Sequence, residues 1–130
     1  MLKISGLNQS YGESHTLWDA ELNVIKGSCT CLMGRNGVGK TTMLKALMGL
    51  LKLDGGSLLY QETELAKLGA DHRAKLGIGY VPQGREIFPQ LTVRENLEVG
   101  LLTRPDKSQD PLPKIFTLFP VLKEMLHRRG

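Results

Sequence analysis

Gly34-Arg35-Asn36-Gly37-Val38-Gly39-Lys40-Thr41-Thr42 is the stretch on which the reading of this chain turns. It fits the phosphate-binding pattern G-x-x-x-x-G-K-[ST] and carries an additional glycine, Gly37, inside the loop. Each residue type has a physical task. Gly34 and Gly39 permit backbone angles that a side chain forbids, so consecutive N–H groups turn inward and form a concave anion nest. The helix expected to begin near Gly39 aims its unpaired N–H groups and the positive end of its dipole at the same point. Lys40 offers a full positive charge to the β- and γ-phosphates of a nucleotide, and the Thr41 hydroxyl is a ligand for Mg²⁺.

The pattern demands a strand before it and a helix after it. Ser28-Cys29-Thr30-Cys31-Leu32-Met33 follows a Lys26-Gly27 turn and predicts the strand. Alternation puts Cys29 and Cys31 on the same side, where they read as two small buried residues rather than a metal pair or a disulfide. Thr42 to Met48 predicts the helix, with Met43, Leu44, Leu47 and Met48 on one face. A glycine-rich surface turn with a stray lysine requires neither flank. The stretch is read as a nucleotide site.

Composition narrows the setting. One hundred and thirty residues suffice for one domain with a modest core. Hydrophobic content of 41% and charged content of 23% are those of a soluble globular chain. No apolar run approaches the ~18 residues of a membrane span. The start, Met1 to Gly6, has no apolar signal-peptide core, so a cytoplasmic location is expected. A formal net charge of +4 and a pI near 9.2 suit anionic partners such as nucleotides. Aromatics make up only 5% and no basic stripe is interleaved with them, so nucleic acid is not expected as a partner. His15, His72 and His127 are scattered and suggest no ligand cluster.

Outward from the loop, Leu2 to Leu7 alternates apolar and polar residues, and Ala20 to Val24 does so again with Ala20, Leu22 and Val24 inward. Two amphipathic strands this close predict an antiparallel sheet beside the nucleotide core. Tyr11-Gly12 turns the chain between them. The Tyr11 ring is either a packing residue of that sheet or an exposed surface able to stack on a base. After the loop helix, Ser57 to Tyr60 predicts a short strand and Glu64 to Leu76 a helix broken at Gly69. Gly77-Ile78-Gly79-Tyr80-Val81-Pro82 reads as a buried strand stopped by proline. The polar and aromatic loop that follows, Gln83 to Gln90, lies where open α/β folds place ligand-contacting groups. Thr92-Val93-Arg94-Glu95 is a capping box opening a helix with a Val93, Leu97, Leu101 stripe. Thr103 to Pro113 carries Pro105, Pro111 and Pro113 and reads as a loop, and two short helices separated by Pro120 follow.

Taken together, the Tyr11 turn, Gly34 to Thr42, Val81-Pro82-Gln83 and Leu91 to Leu97 resemble, in this order, the first half of an ATP-binding-cassette (ABC) transporter ATPase. The resemblance covers essentially the whole chain. Within the family, Gly34 to Lys40 and Gly84-Arg85-Glu86-Ile87-Phe88-Pro89 look most like importers of urea and branched-chain amino acids. The fold implied is α/β: a P-loop NTPase core with an antiparallel β subdomain and the start of a helical subdomain. Residues 1–130 form a partial ATP-binding domain in this reading, with the β subdomain and loop core over 1–83 and the helical part over 84–130.

The resemblance also assigns roles. Tyr11 stacks on adenine; Gly34, Arg35, Asn36, Gly37, Val38, Gly39, Lys40, Thr41 and Thr42 wrap the phosphates of ATP. Thr41 and Gln83 complete the Mg²⁺ shell. Residues 84–91 face a transmembrane permease subunit, and a second ATPase subunit, identical or related, completes the assembly on the inner face of the plasma membrane. The family's Leu-Ser-Gly-Gly-Gln loop, Walker B aspartate, catalytic glutamate and switch histidine fall downstream of these residues. The expectation is therefore an N-terminal, truncated portion that binds nucleotide and does not itself hydrolyse it, with no catalytic residue inside the chain. A soluble ABC-type ATPase acting on ribosomes or nucleic acid shares the nucleotide motifs and is the alternative; a small-molecule kinase would need an acceptor site and catalytic acid that these residues do not supply.

Overall fold

The structure is a computed structural model that describes residues 1–130 except Arg85, Thr103, Pro105 and Lys107. The reading of Arg85 within the 84–91 loop, and of Thr103 and Pro105 within the proline-rich loop, lies outside the described residues. In chain order the elements are β1 (Leu2–Tyr11), β2 (Ser14–Val24), α1 (Lys40–Leu47), β3 (Gly55–Tyr60), β4 (Thr63–Glu64), α2 (Ala70–Lys75), α3 (Val93–Leu102), α4 (Leu112–Leu118) and α5 (Pro120–Glu124). They group into two compact units, Met1–Arg73 and Ala74–Gly130.

The first unit is built on an antiparallel sheet in the order β2-β1-β3-β4. Strict alternation along β1 would bring every second residue to one face. Instead Ile4 and Leu7, three apart, are both fully buried. A bulge explains this: Gly6 has φ +57°, and the pairing of β1 slips between Ile4 and Leu7 against β2 and between Ser5 and Asn8 against β3. The displaced Gly6 N–H donates to Glu21 Oε1 at 2.7 Å rather than to the ladder. Leu17 and Leu58 join Ile4 and Leu7 on the buried face, and Ala46 and Met48 bring the α1 segment into the same core. The alternation expected for Ala20, Leu22 and Val24 is present as half-buried residues between exposed Glu21 and Asn23.

Glu64 holds the sheet's outer corner. Its carboxylate accepts from Ser57 Oγ at 2.6 Å, Leu58 N at 2.9 Å and Ala66 N at 3.0 Å. Burial by itself raises its pKa; these hydrogen bonds outweigh that effect and hold it below its ordinary 4.5. A depressed folded-state pKa adds stability above the ordinary value, and that increment is lost as pH falls through the folded value. Urea midpoints measured downward from pH 6 should therefore fall below about pH 4.5 more steeply for the native sequence than for Glu64→Gln. Parallel pH profiles for the two would remove Glu64 from the account.

The second unit contains no buried residue among those described, and local ties hold it together. The expected capping box is present: Thr92 Oγ1 accepts from Glu95 N at 3.2 Å, and Glu95 Oε2 accepts from Thr92 N at 2.7 Å. The next free amides of α3, Val93 and Arg94, donate to the carbonyls of Arg128 and Leu126. Val93, Leu97 and Leu101 are half-buried, as their spacing predicts. Pro120 separates α4 from α5 by occupying the first turn of α5, where its missing N–H costs nothing.

Several expectations are corrected. Ser28–Met33 and Gly77–Pro82 form no strand; both run as irregular chain. The sheet of β1 to β4 is the one sheet among the described residues, and an extended segment without a hydrogen-bonded neighbour has no ladder. For the same reason Cys29 and Cys31 are exposed rather than buried, and Val81 is 94% exposed. Along α1 the buried positions are Thr42 and Ala46, whereas Leu44 is exposed, so the packed face is not the most apolar one. The helix expected over Glu64 to Leu76 is confined to α2, because Glu64 closes β4 and Leu65 to Gly69 turn. Tyr11 is the last residue of β1, paired with Ser14 across the Gly12-Glu13 turn, rather than part of that turn.

Candidate functional site

The loop from Gly34 to Gly39 joins irregular chain to α1. Its three glycines have φ of +142° (Gly34), +85° (Gly37) and +94° (Gly39). Gly39 is the loop glycine a side chain would strain most, through its left-handed backbone and its closeness to Leu17. A Cβ there would lie 2.7 Å from Leu17 Cδ2 and 3.4 Å from the Thr16 carbonyl, in a left-handed conformation that side chains resist. The loop therefore sits against β2, with Leu17 packed beneath the turn into α1. Sequence reasoning missed this support, since Thr16 and Leu17 belong to a different element and carry no motif.

Gly39 caps α1 in the left-handed conformation and contributes no side-chain hydrogen bond; the first turn holds no acidic residue. The contrast with α3 is instructive, because there Thr92 and the 126–128 carbonyls use the corresponding amides. The positive end of α1 is therefore left without a side-chain cap. Lys40 Nζ folds back over the loop and donates to the carbonyls of Gly34 at 2.8 Å and Arg35 at 2.6 Å. Those two bonds tie the start of the loop to the first residue of α1. Thr41 is exposed in the first helical turn, and Thr42 is buried against the core. An exposed hydroxyl beside the lysine is a hard oxygen donor of the kind Mg²⁺ takes. A cavity of about 350 Å³ adjoins the loop, lined by residues that include Thr16, Trp18, Met33, Val38, Lys40 and Met43.

Tyr11 is 49% exposed at the end of β1, so its ring has an open face. Gln83 is exposed in the second unit, in a bend shared with Gly84 at φ +114°. Gly34 to Thr42 and Tyr11 lie in the first unit and Gln83 in the second. Among the described residues no group of three or more His, Cys, Asp or Glu side chains gathers into a metal cage.

The 86–91 stretch is organised by Asn96, which lies within the Leu91 to Leu97 stretch but to which no role was assigned. Its side-chain carbonyl accepts from Phe88 N at 2.9 Å, while Nδ2 reaches the carbonyls of Phe88, Leu91 and Thr92. With the backbone tied to α3, Ile87 and Phe88 stand half-exposed, at 51% and 54%. They border a cavity of about 560 Å³ whose lining also includes Val93, Leu97 and Leu122.

The sequence profile of the ABC transporter family matches residues 17–128. The probable branched-chain amino acid transport ATP-binding protein LivF of Archaeoglobus fulgidus is 35% identical over 131 aligned positions, covering 100% of this chain and 56% of that protein. The high-affinity branched-chain amino acid transport ATP-binding protein BraG of Pseudomonas aeruginosa is 38% identical over 131 positions, again covering 100% of this chain and 56% of the relative. Among solved structures, an ATP-binding subunit of an ABC transporter superposes with a TM-score of 0.84 at 25% identity, over 99% of this chain and 54% of that one. A dimeric ATP-binding cassette in a post-hydrolysis state, bound to ADP and Pi, superposes with a TM-score of 0.79 at 25% identity, over 100% of this chain and 62% of that one. The chain spans about half the length of the curated relatives it matches.

Proposed function

This chain belongs to the ABC transporter family and has the fold of its ATP-binding domain, and from that premise we propose that it is part of the ATPase subunit of an importer for branched-chain amino acids or urea. The observation that carries the nucleotide half is the loop itself: three left-handed glycines, the Lys40 clasp and a helix start without a side-chain cap, all within nine residues. In this reading Gly34 to Thr42 wrap the phosphates of ATP, while Thr41 and Gln83 hold Mg²⁺, which neutralises phosphate charge when bound. Lys40 must yield at least part of its clasp on Gly34 and Arg35 to meet the β- and γ-phosphates.

The solute half rests on two relatives of 35% and 38% identity whose names specify branched-chain amino acid transport. Those names favour an importer over an ATPase of ribosomes or nucleic acid. Urea is kept as the second solute on the look of Gly34 to Lys40 and Gly84 to Pro89. We place the permease contact at residues 84–91, supported by the half-exposed Ile87 and Phe88 beside an apolar cavity. A second ATPase subunit is the other proposed partner, in keeping with the dimeric cassette among the neighbours. No helix of the described residues is long and apolar enough to cross a membrane; the proposed station is cytoplasmic, on the inner face of the plasma membrane, held by the permease. Within the domain, residues 1–83 form the β subdomain and loop core in this proposal, and residues 84–130 open the helical part. Disrupting the gene in its native host and measuring uptake of labelled leucine and labelled urea tests the solute: uptake of one should collapse. Unchanged uptake of both would sink the importer reading.

Tyr11 supplies a graded test of the base contact. With its ring stacked on adenine, Tyr11→Ala should weaken ATP binding by about 1–3 kcal/mol, and Tyr11→Phe should change it little. ATP and GTP should suffer alike, because stacking tolerates either base. Equal affinities of Tyr11→Ala and the native protein in a titration would return Tyr11 to a packing role.

A further inference from the structure

At the opposite end of α1 from Lys40 lies a second cavity, of about 550 Å³, confined to the first unit and sharing no lining residue with the 34–42 loop. Its lining combines Leu51, Leu53 and Leu68 with Lys52, Lys67 and Arg73, and Asp54 is the one carboxylate among them. Arg73 is the unusual member. It is 2% exposed, yet among the described residues it forms no ion pair. Its Nε donates to the Leu68 carbonyl at 2.8 Å and its Nη1 to the carbonyls of Ala46 at 2.8 Å and Leu47 at 2.7 Å. The other terminal nitrogen, Nη2, makes no hydrogen bond among the described residues. Glu64 is the acid whose charge it feels, and that carboxylate is already shared by Ser57, Leu58 and Ala66. Three of the guanidinium's hydrogen bonds are thus spent on the Leu68 carbonyl and on the last carbonyls of α1, the negative end of that helix, which leaves Nη2 as the donor still open to a ligand.

We propose that this cavity binds a small carboxylate carrying a short aliphatic body. The carboxylate meets Arg73 Nη2 in a charge-assisted bond. Lys52 and Lys67 add positive potential that the single Asp54 does not cancel. The aliphatic body covers the leucine side of the lining, where contact with water is unfavourable. Inorganic phosphate satisfies the charge but leaves the leucines uncovered, so the apolar part of the lining selects against it. The site stands apart from the nucleotide reading, because no residue is common to both.

The test is an NMR titration of the full-length protein with 3-methylbutanoate, acetate and inorganic phosphate, in the presence of ADP so that the phosphate loop is filled. The expected result is that 3-methylbutanoate shifts the amides of Gly49, Gly55 and Gly69 and binds roughly fivefold more tightly than acetate or phosphate. Lys52→Glu combined with Lys67→Glu, at two exposed positions, should weaken it by roughly tenfold. Asp54→Asn, which removes the opposing charge, should tighten it. Absence of shifts at about 10 mM ligand overturns the proposal. So does unchanged affinity in both charge variants, or phosphate binding as tight as that of 3-methylbutanoate.

Discussion

Lys40→Ala in the full-length protein is expected to weaken ATP binding roughly 10- to 100-fold, about 1.5–3 kcal/mol, and to bring turnover to background. Two losses combine. The ammonium group ties the start of the loop to α1 through the Gly34 and Arg35 carbonyls, so its removal frees the loop there. In the proposed site it is also a full positive charge set against the β- and γ-phosphates, and such a charge acts most strongly where water is excluded. Lys40→Arg should recover little, because a planar fork does not reproduce a compact point charge held between two carbonyls. A native-like dissociation constant for Lys40→Ala in an ATP titration would remove the loop from the nucleotide assignment. The same variant serves as background for the 130 residues alone, which we expect to bind nucleotide without releasing phosphate. Among their carboxylates, Glu95 is committed to the Thr92 cap and Glu64 to Ser57, Leu58 and Ala66. Phosphate release that depends on Lys40 in those residues would show that a water-orienting group lies among them.

Gly56→Ala is expected to cost on the order of 3–5 kcal/mol of stability, enough to unfold the first unit or nearly so. Gly56 lies in β3 opposite the bulge of β1, at φ +99°. A Cβ there would meet the Gly6 carbonyl oxygen at 2.5 Å and the Leu7 Cα at 2.7 Å. Both are backbone atoms, so no side chain can rotate away; the strands themselves would have to part, and Leu7 and Leu58 with them. The neighbouring Gly55 is the control. A Cβ at Gly55 meets nothing within 4 Å and its φ is not in the left-handed region, so Gly55→Ala should change the denaturation midpoint by less than about 1 kcal/mol. Indistinguishable urea midpoints for the two variants would mean that β1 and β3 can separate without penalty, contrary to this account.

Much of the site was legible in the sequence because its chemistry is local. A phosphate loop needs particular residues at particular spacings, and Gly34, Gly39, Lys40 and Thr41 stand within one turn of chain, so no distant contact is needed to recognise them. The capping box at Thr92 and Glu95 is legible for the same reason, since both ends of each hydrogen bond lie three residues apart. The paired amphipathic strands followed from period-two alternation over Leu2 to Leu7 and Ala20 to Val24 and from the closeness of the two stretches in sequence.

What failed was whatever depends on a neighbour far away in sequence. Ser28–Met33 and Gly77–Pro82 have the composition of buried strands, but a strand exists only through hydrogen bonds to another, and composition does not supply the partner. The bulge at Gly6 moved Leu7 to the same face as Ile4, a slip that alternation counting cannot register. Leu17 and Arg73 carry no motif and Asn96 had no role assigned within its own, and each is important through backbone atoms of other segments: the turn at Gly39, the last carbonyls of α1, the Phe88 and Leu91 carbonyls. The sequence by itself determined the family, the phosphate-loop pattern and the helix cap, because those are written in residue type and spacing. Tertiary structure alone decided which glycines are irreplaceable, which face of α1 is buried and why a buried arginine borders a cavity, because these depend on close approach between chain segments whose separation in sequence carries no local signal.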